Sequence, residues 1–130
     1  MKNFDKKIVV FAAILGAITI AIGAFGAHGL KELVNAKALN SFETAVRYQM
    51  YHVIVLLAIG LTPIISEKIK KITFLFFIIG ILLFSGSIYL LSLDEIIPCN
   101  TKSIAFITPL GGLSFILGWI YLGYSHFKSK

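Results

Sequence analysis

The chain has 130 residues, of which 58% are hydrophobic and 14% charged, and its mean hydropathy is +0.91. A soluble domain needs more polar residues than this to solvate its surface, so the composition excludes an ordinary soluble protein and indicates a surface that faces lipid. The formal net charge of +6 comes mostly from lysines at the ends of apolar runs. We therefore expect anionic head groups of the lipid bilayer on the cytoplasmic side, and not nucleic acid, as the partners of these lysines.

The first apolar run covers residues 8–27 and is interrupted only by Thr19. At ~1.5 Å per residue this run forms ~30 Å of helix, the thickness of a hydrocarbon core, and so predicts a first membrane span. Lys6 and Lys7 before the run also fit a signal peptide. The apolar part of a signal peptide is typically about 7–15 residues long, shorter than this run, so we expect a retained helix.

Residues 30–46 carry apolar side chains at helical spacing with polar residues between them, a pattern typical of an amphipathic helix. Asn40 and Glu43 have the spacing of a capping box, which predicts that the second long helix starts near Ser41. The segment before it is then expected to form a short amphipathic interfacial helix between spans 1 and 2.

Further apolar runs predict three more spans, and Pro63 marks the end of the second. The 66–71 segment is too short for anything but a turn between antiparallel neighbours. Thr108 and Pro109 either start the fourth helix or kink it. The predicted fold is an all-α, integral membrane four-helix antiparallel bundle, formed by residues 1–130 as a single membrane domain, with spans at about 8–27, 48–65, 72–93 and 104–124.

The distribution of basic residues predicts the topology. Three lysines precede the first span, three lie in the 66–71 turn and two follow the last span, whereas the other two connections hold only Lys31, Lys37, Arg47 and Lys102. For a multi-pass protein of the cytoplasmic (inner) membrane, the positive-inside rule then predicts that both termini lie in the cytoplasm.

Small residues on the predicted spans indicate how the helices pack. There is little hydrophobic drive between helices in lipid, and close backbone approach takes its place. We expect the following glycines to serve helix packing: Gly16, Gly23, Gly26, Gly29, Gly80, Gly86, Gly111, Gly112 and Gly118.

Polar residues gather at the predicted outer ends of the spans. An ionisable residue costs at least ~2.5–3.5 kcal/mol at mid-bilayer, and less at the interface, where His28 and His52 are expected. Glu43 and Arg47 are four residues apart on a helix and can pair. Most tyrosines, including Tyr89, and Trp119 are interpreted as interface belts. The predicted polar cluster, structural or ligand-binding, consists of His28, Glu43, Arg47, Tyr48, Gln49, His52, Ser85, Ser87 and Thr108.

The polar residues of this cluster suit three kinds of chemistry to different degrees. Two histidines at one depth can ligate haem, or can hold a metal ion with Glu43, but no HxxxH or CxxC spacing accompanies them, so we expect no metal and no cofactor. The serines of the cluster and Cys99 have no base at motif spacing, so we do not expect an enzyme. A proton relay through the cluster is the third possibility, although no acid lies in the apolar centre of any span.

Four motifs together resemble one known family: GAFGAHG at residues 23–29, FETAVRYQMYH at 42–52, FSGSIY at 84–89 and ITPLGG at 107–112. In this order and over nearly the whole chain, they resemble the YgdD-like family of small four-span inner-membrane proteins, a domain family of unknown function. The resemblance implies a four-helix membrane protein with polar motifs at one end, and no established reaction. The positions it marks are Gly26, His28, Gly29, Glu43, Arg47, Tyr48, Gln49, His52, Ser85, Gly86, Ser87, Thr108, Pro109, Gly111 and Gly112.

From these patterns we predict a protein that is structural or accessory to a membrane or envelope assembly, working as a homo-oligomer or with a membrane protein partner. The alternative is a small-solute or proton transporter that uses the outer polar cluster.

Overall fold

The computed structural model describes residues 2–97 and 101–128. Within these ranges the chain forms four long helices, each long and apolar enough to cross a membrane. This finding confirms the predicted all-α fold with four helices suited to cross a membrane. The helices are α1 (Asn3–His28), α2 (Ala36–Leu61), α3 (Glu67–Ser92) and α4 (Ile107–Lys128).

Neighbouring helices run antiparallel in two pairs. α1 packs along α2 and α3 along α4, and the pairs meet mainly through α2 and α3. One end of the bundle, here named the His28 end, contains the end of α1, the start of α2, the end of α3 and the start of α4. The opposite end, named the Lys70 end, contains the other terminus of each helix.

The interfacial helix expected between spans 1 and 2 is not found. A single 3-10 turn at Leu30–Glu32 follows α1, and α2 then runs without a break from Ala36. The N-cap is Asn35, whose side chain accepts a hydrogen bond from the backbone nitrogen of Ala38 at 2.9 Å, so the predicted start near Ser41 is wrong. Because no helix-breaking residue follows Asn35, the amphipathic segment continues directly into the span.

The structure also defines where α3 and α4 begin. α3 begins at Glu67, where the side chain of Ser66 accepts from the backbone nitrogen of Ile69, and it contains a π-helical segment at Ile81–Ser85. α4 begins at Ile107, so Pro109 lies in the first turn, where the missing N–H costs little, and it does not kink the helix.

Apolar side chains fill the centre of the bundle and also cover its outside. The buried core includes Ile8 of α1, Leu56 of α2, Phe77 of α3 and Phe115 of α4. Large apolar residues such as Ile120 are exposed on the outer surface, as expected for helices that face lipid.

The predicted packing glycines differ in how closely a neighbouring helix approaches them. A Cβ atom at six of them would lie closer to a neighbouring helix than ordinary contact, and this group is Gly16, Gly23, Gly26, Gly80, Gly111 and Gly118. Gly86 and Gly112 have room for a Cβ atom, and Gly29 faces only its own helix at Phe25. Gly60 of α2, which the sequence did not single out, packs closely on Ile8 and Val9 of α1.

Candidate functional site

Gln49 is a buried residue of α2 that joins three helices. Its Nε2 donates to Oγ1 of Thr19 on α1 at 2.7 Å, and its Oε1 accepts from the hydroxyl of Tyr89 on α3 at 3.0 Å. The Thr19 hydroxyl in turn donates to the carbonyl of Leu15 at 2.6 Å. Because lipid offers polar side chains no hydrogen-bond partner, the side chains of Thr19, Gln49 and Tyr89 bond to one another across the three helices.

His52 lies one turn further along α2, in an aromatic setting. The ring is 4% exposed and stacks on Phe115, with the centroids 3.6 Å apart at an interplanar angle of 10°. Phe77 meets it edge-on, with the centroids 4.8 Å apart.

Both nitrogens of the His52 ring have partners, and these partners define its tautomer. Nδ1 lies 2.7 Å from the carbonyl oxygen of Tyr48, and Nε2 lies 3.2 Å from Nε1 of Trp119. A carbonyl only accepts and an indole N–H only donates, so Nδ1 carries the proton and Nε2 is the acceptor. The imidazole is therefore neutral in this arrangement, and both of its polar atoms are used inside the bundle.

Hydroxyl groups connect α3 to its neighbours around the π-helical segment. Ser85 donates to the carbonyl of Ala45 on α2 at 2.8 Å. Ser87 and Thr108 of α4 lie 2.6 Å apart, Oγ to Oγ1. Nearer the middle of the bundle, Ser114 of α4 donates to the carbonyl of Phe76 at 2.7 Å. Each of these contacts links two helices.

The other four members of the predicted cluster are exposed on the surface. They are His28, Glu43, Arg47 and Tyr48. Nη2 of Arg47 donates to Oγ1 of Thr44 at 3.1 Å, and among the described residues no ion pair joins Arg47 to Glu43. The structure thus brings Gln49, His52, Ser85, Ser87 and Thr108 into interhelical contacts and leaves the remaining four at the surface.

The rings of His28 and His52 do not converge, because the first is exposed at the end of α1 and the second is enclosed in the aromatic setting. In the part of the chain that the structure describes, no three His, Cys, Asp or Glu side chains gather as metal ligands would. Cys99 lies outside the described residues.

A buried ion pair at the Lys70 end escaped the sequence analysis. Nζ of Lys70 lies 2.7 Å from Oδ1 of Asp5, and the two residues are 1% and 7% exposed. The short 66–71 segment is predicted as a turn, and this prediction is wrong, because α3 begins at Glu67 and Lys70 lies in its first helical turn. Its spacing of three residues from Thr73 and seven from the core residue Phe77 is the signal that it belongs to the inward face of α3.

Four more residues of the interhelical contacts were missed or interpreted differently. Thr19, the only polar residue of the first apolar run, was the clearest signal. Ser114, a hydroxyl residue within the fourth apolar run, carried the same kind of signal. Tyr89 and Trp119 had been interpreted as interface aromatics, but each hydrogen-bonds to a side chain of α2.

Comparison with known proteins gives these positions a family context. A family model described as "Protein of unknown function (DUF423)" matches residues 22–112, a stretch that contains all four motifs. The chain is 42% identical over 130 residues to a UPF0382 membrane protein of Haemophilus influenzae, covering 100% of this chain and 98% of that protein.

Two more relatives extend the comparison. The UPF0382 membrane protein SSP2132 of Staphylococcus saprophyticus is 41% identical over 95% of this chain and 98% of its own length. The UPF0382 inner membrane protein YgdD of Escherichia coli K12 is 37% identical over 88% of this chain and 85% of its own length. No solved structure matches. The predicted resemblance is confirmed: the chain is similar to UPF0382 membrane proteins that include YgdD, and it belongs to the DUF423 family, a protein family of unknown function.

Proposed function

We propose that this protein is a non-enzymatic structural or accessory component of a membrane assembly. The observation that supports this proposal best is the hydrogen-bonded series from Thr19 through Gln49 to Tyr89. A transport or catalytic site needs polar groups that are free to meet a substrate. The series instead uses both polar atoms of the Gln49 side chain to join α1, α2 and α3.

The location that we propose is the cytoplasmic membrane, with both termini in the cytoplasm. The relative from Escherichia coli is named an inner membrane protein. The Lys70 end carries the lysines near the N-terminus, Lys128 near the C-terminus and the three lysines at the start of α3, and the positive-inside rule assigns such an end to the cytoplasm.

The experiment that tests the accessory role maps what each helix faces in living cells. A photoreactive residue is placed at one lipid-exposed position on each helix, in four separate variants: Ile14, Ile54, Leu82 and Ile120, which are 57%, 57%, 65% and 61% exposed. A structural partner gives a crosslink to one defined membrane protein, or to a second copy of this chain, from one face only. Crosslinks to lipid alone from all four positions contradict the proposal.

Proton transport is the second candidate, and the buried pair of Asp5 and Lys70 is the observation that favours it. A carboxylate and an ammonium inside a helix bundle can exchange a proton with changing surroundings. The test is proton flux in sealed proteoliposomes of the purified protein under an imposed pH gradient. Flux that is lost in Asp5→Asn supports transport, and the absence of flux under any gradient ends this candidate.

A further inference from the structure

Two adjoining cavities form one groove at the His28 end, between the start of α2, the end of α3 and the start of α4. The first has a volume of about 230 Å³ and is lined by residues that include Lys37, Ser92 and Asp94. The second has a volume of about 460 Å³ and is lined partly by Ile88 and Pro109. Ser41 and Leu91 line both cavities, so the two lie side by side.

The two parts of this groove differ in chemistry. The first cavity, here named the head compartment, presents both signs of charge, from Lys37 on α2 and from Asp94 and Glu95 after α3. The second cavity, named the chain compartment, has no charged residue in its lining, which consists of the apolar residues Ile88, Leu91, Ala105 and Pro109 and the neutral polar residues Asn40, Ser41, Thr44 and Thr108. An amphipathic molecule with a dipolar head fits this division.

The charged side chains of the head compartment differ in whether they already have partners in the protein. The carboxylate of Glu95 accepts hydrogen bonds from the backbone nitrogen and from the side-chain amide of Asn35, so it fastens the loop to the start of α2. Lys37 and Asp94 are exposed, and no ion pair joins either of them to another side chain that the structure describes, a set that does not include Lys102. One ammonium and one carboxylate are thus available to a ligand.

Ser92 gives an independent indication that the head compartment takes a polar ligand. The residue lines the compartment and is 2% exposed, and its hydroxyl has no hydrogen-bond partner in the described part of the chain. A buried hydroxyl without a partner is costly, and most hydroxyls in native proteins avoid that state. A polar group in the compartment would provide the missing partner.

We propose that this groove binds an aminophospholipid of the leaflet at the His28 end, namely phosphatidylethanolamine. The primary ammonium of the head group pairs with Asp94, the phosphate pairs with Lys37, and an acyl chain lies along the chain compartment. Only a zwitterionic head complements a site with one free charge of each sign, and a primary ammonium donates hydrogen bonds that a quaternary one lacks. This inference does not depend on the proposed accessory function.

The test measures the thermal stability of the purified, delipidated full-length protein in detergent. Phosphatidylethanolamine, phosphatidylcholine and phosphatidylglycerol are added in separate titrations. Phosphatidylethanolamine is expected to raise the melting temperature at lower concentration than phosphatidylcholine or phosphatidylglycerol. Asp94→Asn and Lys37→Gln should each raise the concentration of phosphatidylethanolamine needed by about tenfold, as the loss of one charge-assisted hydrogen bond predicts. Soluble phosphoethanolamine, which has no chain, should not reproduce the effect at the same concentrations.

Matched controls come from the same end of the bundle. Lys31 and Glu32 are exposed in the 3-10 turn and lie outside the groove, so Lys31→Gln and Glu32→Gln should leave the lipid response unchanged. Equal stabilisation by all three lipids overturns the proposal, and so does an unchanged response in Asp94→Asn. Stabilisation by phosphoethanolamine as strong as that by the lipid overturns the role of the acyl chain.

Discussion

The neighbouring glycines Gly111 and Gly112 allow a sharp test of how α4 packs on α3. A Cβ atom at Gly111 would lie 2.2 Å from the backbone nitrogen of Phe84 and 2.6 Å from the carbonyl carbon of Leu83. Both atoms belong to the π-helical segment of α3, and backbone atoms cannot rotate away as a side chain can. A Cβ atom at Gly112 would meet only the ring of Phe84, at 3.7 Å, which is ordinary contact.

These distances give the expected size of the effect. To bring the new Cβ of Gly111→Ala from 2.2 Å to the ordinary limit of 3.4 Å, α4 must move away from α3 by about 1.2 Å. Such overpacking typically costs about 1–3 kcal/mol. Alanine is also a better helix former than glycine by about 1 kcal/mol, but this gain is the same in both variants. The difference between the two variants therefore isolates the packing cost.

The assay is unfolding of the purified protein in detergent, followed by heating or by titration with denaturant. Gly112→Ala should be at least as stable as the natural protein, and Gly111→Ala should be less stable than Gly112→Ala by about 1–3 kcal/mol. Equal stability of the two variants would refute the close approach of α4 to the π-helical segment.

Three further predictions follow from the site. His52→Ala should lower the free energy of unfolding by about 2–4 kcal/mol, because it leaves a cavity among three aromatic rings and removes the acceptor of Trp119; the measurement is the same unfolding assay. Lys70→Met should lower it by about 3–5 kcal/mol by leaving the Asp5 carboxylate buried without its partner, whereas the double variant with Asp5→Asn should recover much of the loss. A membrane-impermeant thiol reagent should label Cys99 in cells whose outer envelope is permeable to it, and labelling only after lysis would invert the proposed topology.

Two controls separate these effects from general damage. Arg47→Ala is the control for His52, because Arg47 is exposed and its side chain donates to Thr44 of the same helix, so its effect should be small. Lys71→Met is the control for Lys70, because the pair of Lys71 and Glu67 is solvent-exposed and such pairs contribute about 0–1 kcal/mol. A loss in Arg47→Ala as large as that in His52→Ala would contradict the description of the aromatic setting.

Much of the fold was predictable from the sequence, and the reason is the lipid environment. Backbone groups in a bilayer must bond within the chain, so each long apolar run has to form a helix, and short connections make neighbours antiparallel. Helix ends were less predictable. Asn35 and Asn40 are both good N-caps followed by helix-forming residues, and only the observed hydrogen bond from Ala38 identifies the first as the cap.

The sequence by itself determined four spans, the family and the set of polar residues within its motifs. Tertiary structure alone decided which members of that set face inward, as adjacent residues show. Gln49 is buried and bonded to two helices, whereas Tyr48 is exposed. In the same way, Lys70 is buried whereas Lys71 is exposed. Gly111 lies against the backbone of α3, whereas Gly112 has room for a Cβ atom. Neighbouring residues lie about 100° apart around a helix, and the rotation of each helix about its axis is set by contacts with other helices that no local pattern records.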